Sequence, residues 1–437
     1  MTVVVASDTG SVKNDAVTFS QEIVFEQLIL YDLREEIHEE LKGSAATAGN
    51  ADGANASSPG SGRTRFIARR RQPRITISLA DYIKILGKNV GDETAMNGRI
   101  LVLNCHEAWV HQLRLLGKPL DIVVGLPGRH IRGWDDTIRP VPERSRLISL
   151  QEAAATPEPY DCIITHNLSD LLDTKNLPGP RILVIHLMLE GMILEQQAQT
   201  RVEDYRRAVK EYTERARVHV VAVSAAKRNS WGFAKNIVPL TADPEEYLPW
   251  TGDLASGLRV SNFILRRGRT LLWDFHNLAF AGLPVTLVGH NPEIPGVRAS
   301  SRWTELKEIL RRHRFFVHTA EPRLEDGYNM ATLEAMAAGL PVLGNRHPSS
   351  PVIHGVNGFL SDDPVELNAL ARGLLADREL AGEMGRAARQ TVLEQFSGEA
   401  FRASMLEAIR TAQATWRTEG SCFMGGLSSP PASIVRK

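Results

Sequence analysis

Residues 314–345 read RFFVHTAEPRLEDGYNMATLEAMAAGLPVLGN. The stretch opens and closes on short strand-like runs, RFFVHT (314–319) and PVLGN (341–345), with a loop and an apolar helical pattern between them. Strand, loop, helix, strand is the unit from which parallel sheets are built. Gly327 and Asn329 are poor helix formers, so the helix is expected to begin near Thr332. Gly339 followed by Pro341 is expected to end it. The helix N-terminus then faces the carboxyl end of the first strand, where open parallel sheets hold their ligands. Unpaired amides and the helix dipole favour an anion there, and Gly327 lets the backbone come close, so a phosphate-bearing ligand is the default. Glu334, in the first turn, is placed to accept two ribose hydroxyls. Asp326, eight residues earlier, is placed to meet sugar hydroxyls on the ligand's other side. A plainer reading fits the same spacing, with Glu334 complementing the dipole and Asp326 a solvated loop acid.

Outward from this unit the same alternation repeats. Upstream lie the strand candidates ILVLN (100–104), DIVVG (121–125), RLISL (146–150), DCIIT (161–165), ILVIH (182–186) and VHVVAVS (218–224). Tyr205, Ala208, Val209, Tyr212 and Ala216 mark a covering helix between the last two. After an irregular stretch, 242–257, strands are expected near Arg259–Phe263 and at PVTLVG (284–289). Trp303, Leu306, Ile309 and Leu310 mark a helix, Asp363-Pro364 caps and opens another, and two more, 378–396 and 399–417, finish the fold. At 437 residues the chain exceeds one ordinary core and fits two α/β domains with extensions. The expected organisation is an N-terminal appendage (1–42) with an amphipathic helix at 19–41, a flexible small-residue linker (43–62) and a basic lead-in (63–97). A domain at 98–245, a second at 246–416 and a disordered tail at 417–437 follow.

A net charge of +0 supplies no global field for nucleic acid or an anionic membrane. Three cysteines, Cys105, Cys162 and Cys422, show neither C-x-x-C spacing nor a pairing histidine cluster, so a disulfide framework and a structural zinc are not expected. The most apolar stretch, 182–194, is broken by His186 and Glu190 and falls short of a bilayer span. The first ten residues lack a basic start to an apolar run, so the reading is a cytoplasmic protein. The segment Arg63–Arg74 holds six basic residues in twelve. It reads as a solvated tail or as a peripheral contact with an anionic membrane at its inner face; no RNA-binding signature accompanies it.

The run DGYNMATLEAMAAGLPV (326–342) resembles the E-x7-E donor motif of the retaining GT-B glycosyltransferases of family 4, glycosyl transferases group 1. SSPVIHGVNGFLSDDP (349–364) resembles the segment that follows it. VVAVSAAKRNSWGF (220–233), YDCIITHN (160–167) and RILVIHLMLEG (181–191) extend the likeness more weakly over 99–415. The resemblance implies two Rossmann-like, doubly wound α/β domains facing a cleft. It also implies a nucleotide-sugar donor, a glycan or glycolipid acceptor, transfer with retention and no metal. Glu334 would hold the ribose, and Asp326 would stand for the family's first glutamate. The amides of Asn329, Met330, Ala331 and Thr332, with Gly327, would contact sugar and phosphate. Arg267, in NFILRRG (262–268), would neutralise the diphosphate, and His186 would face the donor sugar.

The chain departs from the family in Asp326, one methylene short, and in Asn262, where relatives carry an arginine. It also departs after VGHNPE (288–293), where a strand beside the base is shortened or absent, and at NCHEAWVHQLRLLG (104–117), where relatives carry a glycine pair. His106 and Glu107, in that last run, are the acceptor-side candidates. His186 also fits a core histidine bonded to backbone, and His166 and His318 are read as structural. The competing functions are a sugar-nucleotide epimerase or phosphorylase, against which the motif argues, and a catalytically silent GT-B scaffold.

Overall fold

The computed structural model describes residues 98–424, apart from 128, 130–132, 197 and 199. The appendage, the linker and the arginine run lie outside these residues.

The first sheet has seven parallel strands: β1 (Ile100–Leu103), β2 (Leu120–Val123), β3 (Ser145–Ile148), β4 (Cys162–Thr165), β5 (Arg181–Ile185), β6 (His219–Ala222) and β7 (Asn236–Ile237). Their order is β3-β2-β1-β4-β5-β6-β7. Strands β1, β2, β4, β5 and β6 are buried at every position, which is why they read as unbroken apolar runs: helices cover both faces. The chain winds outward from β1 to β3 and returns to β4 beside β1, so a switch point opens between the carboxyl ends of β1 and β4.

The second sheet has five strands in the order β12-β11-β10-β8-β9. They are β8 (Leu254–Val260), β9 (Val285–Val288), β10 (His313–Val317), β11 (Val342–Gly344) and β12 (Gly358–Leu360). Its switch point lies between β8 and β10. Strand β8 starts earlier and ends earlier than expected. Gly257 in its middle makes room for the Phe315 ring, which a Cβ would approach to 2.3 Å, and Phe263, placed in the expected strand, has a left-handed φ of 52° that ends extended structure. Residues 289–302 form no strand, consistent with the shortened region read from the sequence.

Seven helices matter for the site and the domain junction: α1 (Glu107–Gln112), α2 (Leu189–Glu195), α3 (Ala225–Trp231), α4 (Trp303–Arg312), α5 (Met330–Ala337), α6 (Arg378–Gln395) and α7 (Gly398–Met424). Helix α5 begins two residues before the expected start because Asn329 is its N-cap. The Asn329 side chain accepts from the Thr332 amide, and the Thr332 hydroxyl closes the box on the Asn329 amide. Gly339 takes φ 86° just past its end, as the sequence suggested.

Helix α7 corrects two boundaries. It continues through Met424, so the tail expected from 417 is helical over its first residues, Gly420 included. It also packs on the N-terminal sheet rather than on the domain with which it was grouped. Phe401, Met405, Ala408 and Ile409 are buried, Phe401 meets Trp109 edge-on at 6.1 Å, and Gln413 donates to the Asp161 carbonyl at 2.9 Å. The chain end thus returns to the first domain. Among the described residues no helix is long and apolar enough to cross a membrane.

Candidate functional site

The two switch points face each other, and groups from both domains meet between them. From the C-terminal side come the loop after β8, carrying Arg267, and the loop after β10, carrying Glu325 and Asp326. From the N-terminal side come α2 and α3. Lys227 of α3 is buried with its Nζ 3.2 Å from Glu325 and 3.5 Å from Asp326. Arg267 bridges Glu325 at 3.0 Å and Glu195 of α2 at 2.9 Å. Burial presses the Glu325 carboxyl upward, but Lys227 and Arg267 outweigh it and hold it below the usual glutamate range.

Asp326 is fully buried. Besides Lys227 it accepts from the hydroxyls of Ser224, the N-cap of α3, and Ser349. His318 donates from Nε2 to the Asp326 carbonyl at 3.1 Å. Burial lowers His318 to about 4, keeping it neutral, so the structural reading of that histidine stands. The expectation that Asp326 is a solvated loop acid does not.

Glu334 is also buried and is held by the guanidinium of Arg139, from the other domain. Arg139 lies 4.2 Å above the Trp303 ring at the start of α4. Beside this pair is a cavity of about 210 Å3, lined by Gln112, Arg139, Tyr247, Met330 and Glu334 among others. That is below the roughly 300–1,000 Å3 of small-molecule sites.

Several candidates take places the sequence did not foresee. The room beside Gly327 is filled by the chain itself: a Cβ there would lie 2.6 Å from His347 Nδ1 and from the Ser350 amide, and the Gly327 amide donates to Ser349 Oγ at 2.9 Å. Close approach is therefore spent on the 347–350 loop and not on a phosphate. The capping box takes the Asn329 and Thr332 amides, leaving those of Met330 and Ala331 as the α5 donors outside it. Asn262 is exposed and accepts from the His290 amide at 2.8 Å, tying down the turn after β9. Glu107 is buried, accepting from Asn104 at 3.0 Å and from the Asp135 amide at 3.4 Å, so it is not offered to an acceptor. His106 is exposed and caps α1 through Nδ1.

His186 and His166, after β5 and β4, pair through Nε2 and Nδ1 at 2.9 Å. Burial and a neighbouring imidazole lower His166 to about 3 and His186 well below its usual value, so both rings are neutral. The reading of His186 as a core histidine bonded to backbone is replaced by a histidine–histidine pair.

Sequence reasoning missed Arg139, Lys227, Ser224, Ser349 and Glu325. Glu325 had a signal, an acid beside an acid in the motif loop. Ser224 and Lys227 had one too, a strand-end N-cap and the residue three places on. Arg139 sits in a loop without periodicity and left none.

The family model of glycosyl transferases group 1 matches residues 281–377, the span that contains Glu325, Asp326, α5 and Glu334. N-acetyl-alpha-D-glucosaminyl L-malate synthase of Bacillus anthracis is 38% identical over 79 residues, 17% of this chain and 21% of that protein. The chain thus matches about a fifth of the length of this curated relative. Among solved structures, sucrose-phosphate synthase of Thermosynechococcus elongatus superposes with TM-score 0.53 at 18% identity, covering 73% of this chain and all (100%) of that one. HepE of Anabaena, in complex with UDP and glucose, superposes with TM-score 0.52 at 14% identity, covering 71% and 99%. The fold is GT-B: two Rossmann-like α/β domains facing a cleft.

Proposed function

We propose that the chain is a glycosyltransferase of the retaining, family 4 kind, moving a hexosyl group from a nucleotide-sugar to a hydroxyl of a glycan or glycolipid. The observation that carries this reading is the placement of Glu334 and Asp326. The segment matched by the group 1 model delivers both carboxylates to the inter-domain cleft after β10, with Lys227 beside Asp326 and Arg267 beside the adjoining Glu325. In this reading Glu334 exchanges Arg139 for the ribose hydroxyls as the domains part. Arg267, Lys227 and the Met330 and Ala331 amides then face the diphosphate. Positive charge fixed where the leaving group develops negative charge lowers the barrier, because nothing need reorganise at the moment of transfer. In the same reading His186 leaves His166 to meet the donor sugar, and the transfer step itself uses no metal.

The UDP and glucose of the HepE complex make a UDP-sugar the first donor to try. A thermal-shift screen against UDP, GDP, ADP and dTDP sugars tests the reading, since a ligand of the folded state raises the unfolding temperature. The expected result is a selective shift, with binding weakened in Glu334→Ala by roughly 1.5–3 kcal/mol, the range for hydrogen bonds to a charged group. Unchanged affinity in a folded Glu334→Ala protein would remove that residue from the donor site. A second reading, a silent scaffold, draws on the ion pairs that already occupy every candidate donor acid. It predicts no shift with any nucleotide at millimolar concentration.

A further inference from the structure

The donor reading leaves a thiol and an imidazole unused beside His186. Cys105 follows β1, His166 follows β4 and His186 follows β5. These three strands are adjacent and parallel, in the order β1-β4-β5, so their carboxyl ends lie side by side at the switch point. The result is that Sγ of Cys105 and one nitrogen from each ring all lie within 4.8 Å of one another. Trp109 stands edge-on to both rings, at 5.0 Å and 79° to His166 and at 5.1 Å and 88° to His186, which fixes their planes.

We propose that Cys105, His166 and His186 form a binding site for a soft divalent cation, Zn2+ before all others. Zinc takes thiolate sulfur at about 2.3 Å and imidazole nitrogen at about 2.0–2.1 Å in a tetrahedron. Those lengths place nitrogen from nitrogen at roughly 3.3–3.4 Å, and sulfur from nitrogen at roughly 3.5–3.6 Å. The two rings, now 2.9 Å apart through their hydrogen bond, need separate by only a few tenths of an ångström to admit the ion. The donor set of one sulfur and two nitrogens selects zinc over magnesium or manganese, which prefer oxygen.

The surroundings add support. The carboxylates of Asp170 and Glu107 lie close enough to act on Cys105 and favour a dication there, with Asp170 shared with Arg129 at 3.2 Å. The opposing charge is Lys227, which acts on His186 but is itself paired to Glu325 and Asp326. Three protein ligands leave a fourth position for water or a substrate oxygen, as in sites that are not purely structural. A cation also takes the lone pair His186 would offer a sugar, so metal and that contact exclude each other.

This departs from the sequence-based expectation of no metal: with the ion bound, His186 gives up the sugar contact assigned to it in the donor reading, while the donor-side acids and cations are untouched. The test is titration of the full-length chain with Co2+, whose thiolate charge-transfer band reports a sulfur ligand. One equivalent is expected to give the band, Zn2+ to displace it and Cys105→Ser to abolish it. His166→Gln and His186→Gln are each expected to weaken binding by more than about tenfold, the minimum for loss of even an outer-shell partner. No band in the unaltered chain overturns the proposal. So does a band that survives Cys105→Ser, which assigns the sulfur to Cys162 or Cys422, or one whose strength ignores both histidine variants. Circular dichroism of each variant separates lost binding from lost folding.

Discussion

At its switch point the N-terminal sheet carries a thiol and two imidazoles, all kept uncharged by burial. The C-terminal sheet carries at the equivalent place a guanidinium and two carboxylates, Arg267, Glu325 and Asp326, bound to Lys227, Ser224 and Glu195 of the opposite domain. Each half meets the cost of removing polar groups from water in its own way. The first half neutralises and the second pairs. The pairing half therefore depends on its neighbour: with the domains apart, Glu325 and Asp326 would adjoin in the loop without Lys227. Domain closure and the charge state of the candidate donor loop are one property.

The strongest way to break that dependence is Lys227→Met. The variant leaves two adjoining buried carboxylates with one fewer cation while keeping the apolar stem in place. Removing one partner of a buried ion pair typically costs about 3–5 kcal/mol, and a loss of that size in urea unfolding is expected here. A loss under about 1 kcal/mol, the value of an exposed pair, would show that the cleft is wet and that Asp326 rests on its two serine hydroxyls alone.

Acid separates the halves more finely. His318 faces Arg259, Glu325 and His347 and is lowered by burial to about 4. Its folded value lies below its unfolded one, so its contribution to stability is whole above the unfolded value near 6.5 and is lost as pH falls toward 4. Glu325, also lowered, follows the same sign further down, losing its contribution below the ordinary glutamate value near 4.3. Between pH 6.5 and 4, His318→Gln, which keeps a donor for the Asp326 carbonyl, is expected to reduce the slope of stability against pH. The reduction is up to about 1.4 kcal/mol per pH unit, the equivalent of one proton. An unchanged slope would mean that the histidine is protonated in the fold as well.

The same contrast explains what the sequence could and could not show. The buried strands of the first sheet were legible because both faces are covered, so β1, β4 and β5 are continuous apolar words. Strands β7 and β12, of two and three residues, are too short to carry a period, and β8 was displaced because LASGLRV has one β-branched residue. The position of Asp326 and Glu334 beside the cleft was legible from local spacing, and that of Arg267 from the family resemblance. Their partners were not: Arg139 and Glu334 are 195 residues apart and meet only when two separately folded sheets dock. The meeting of the thiol and imidazoles escaped notice for a related reason, since Cys105, His166 and His186 have no ligand spacing in the chain and adjoin only through strand order. The histidine cluster that the sequence seemed to lack is made by topology.

The smallest effect is expected at the cleft rim. Arg323 and Glu190 pair across the domains at 2.9 Å, with side chains 77% and 36% exposed. Next to them Gly191 of α2 lies so near the Leu324 carbonyl that a Cβ would stand 1.9 Å from it. Backbone contact thus sets the approach of the two loops there, and the ion pair only decorates it. Arg323→Ala should cost about 0.2–1 kcal/mol in urea unfolding, fading in high salt, because exposed pairs gain little over their hydrated partners. A cost near that of Lys227→Met would mean that the number of crossing pairs holds the cleft. A cost within this range, beside a large one for Lys227, assigns closure to the buried crossing pairs and not to those at the rim.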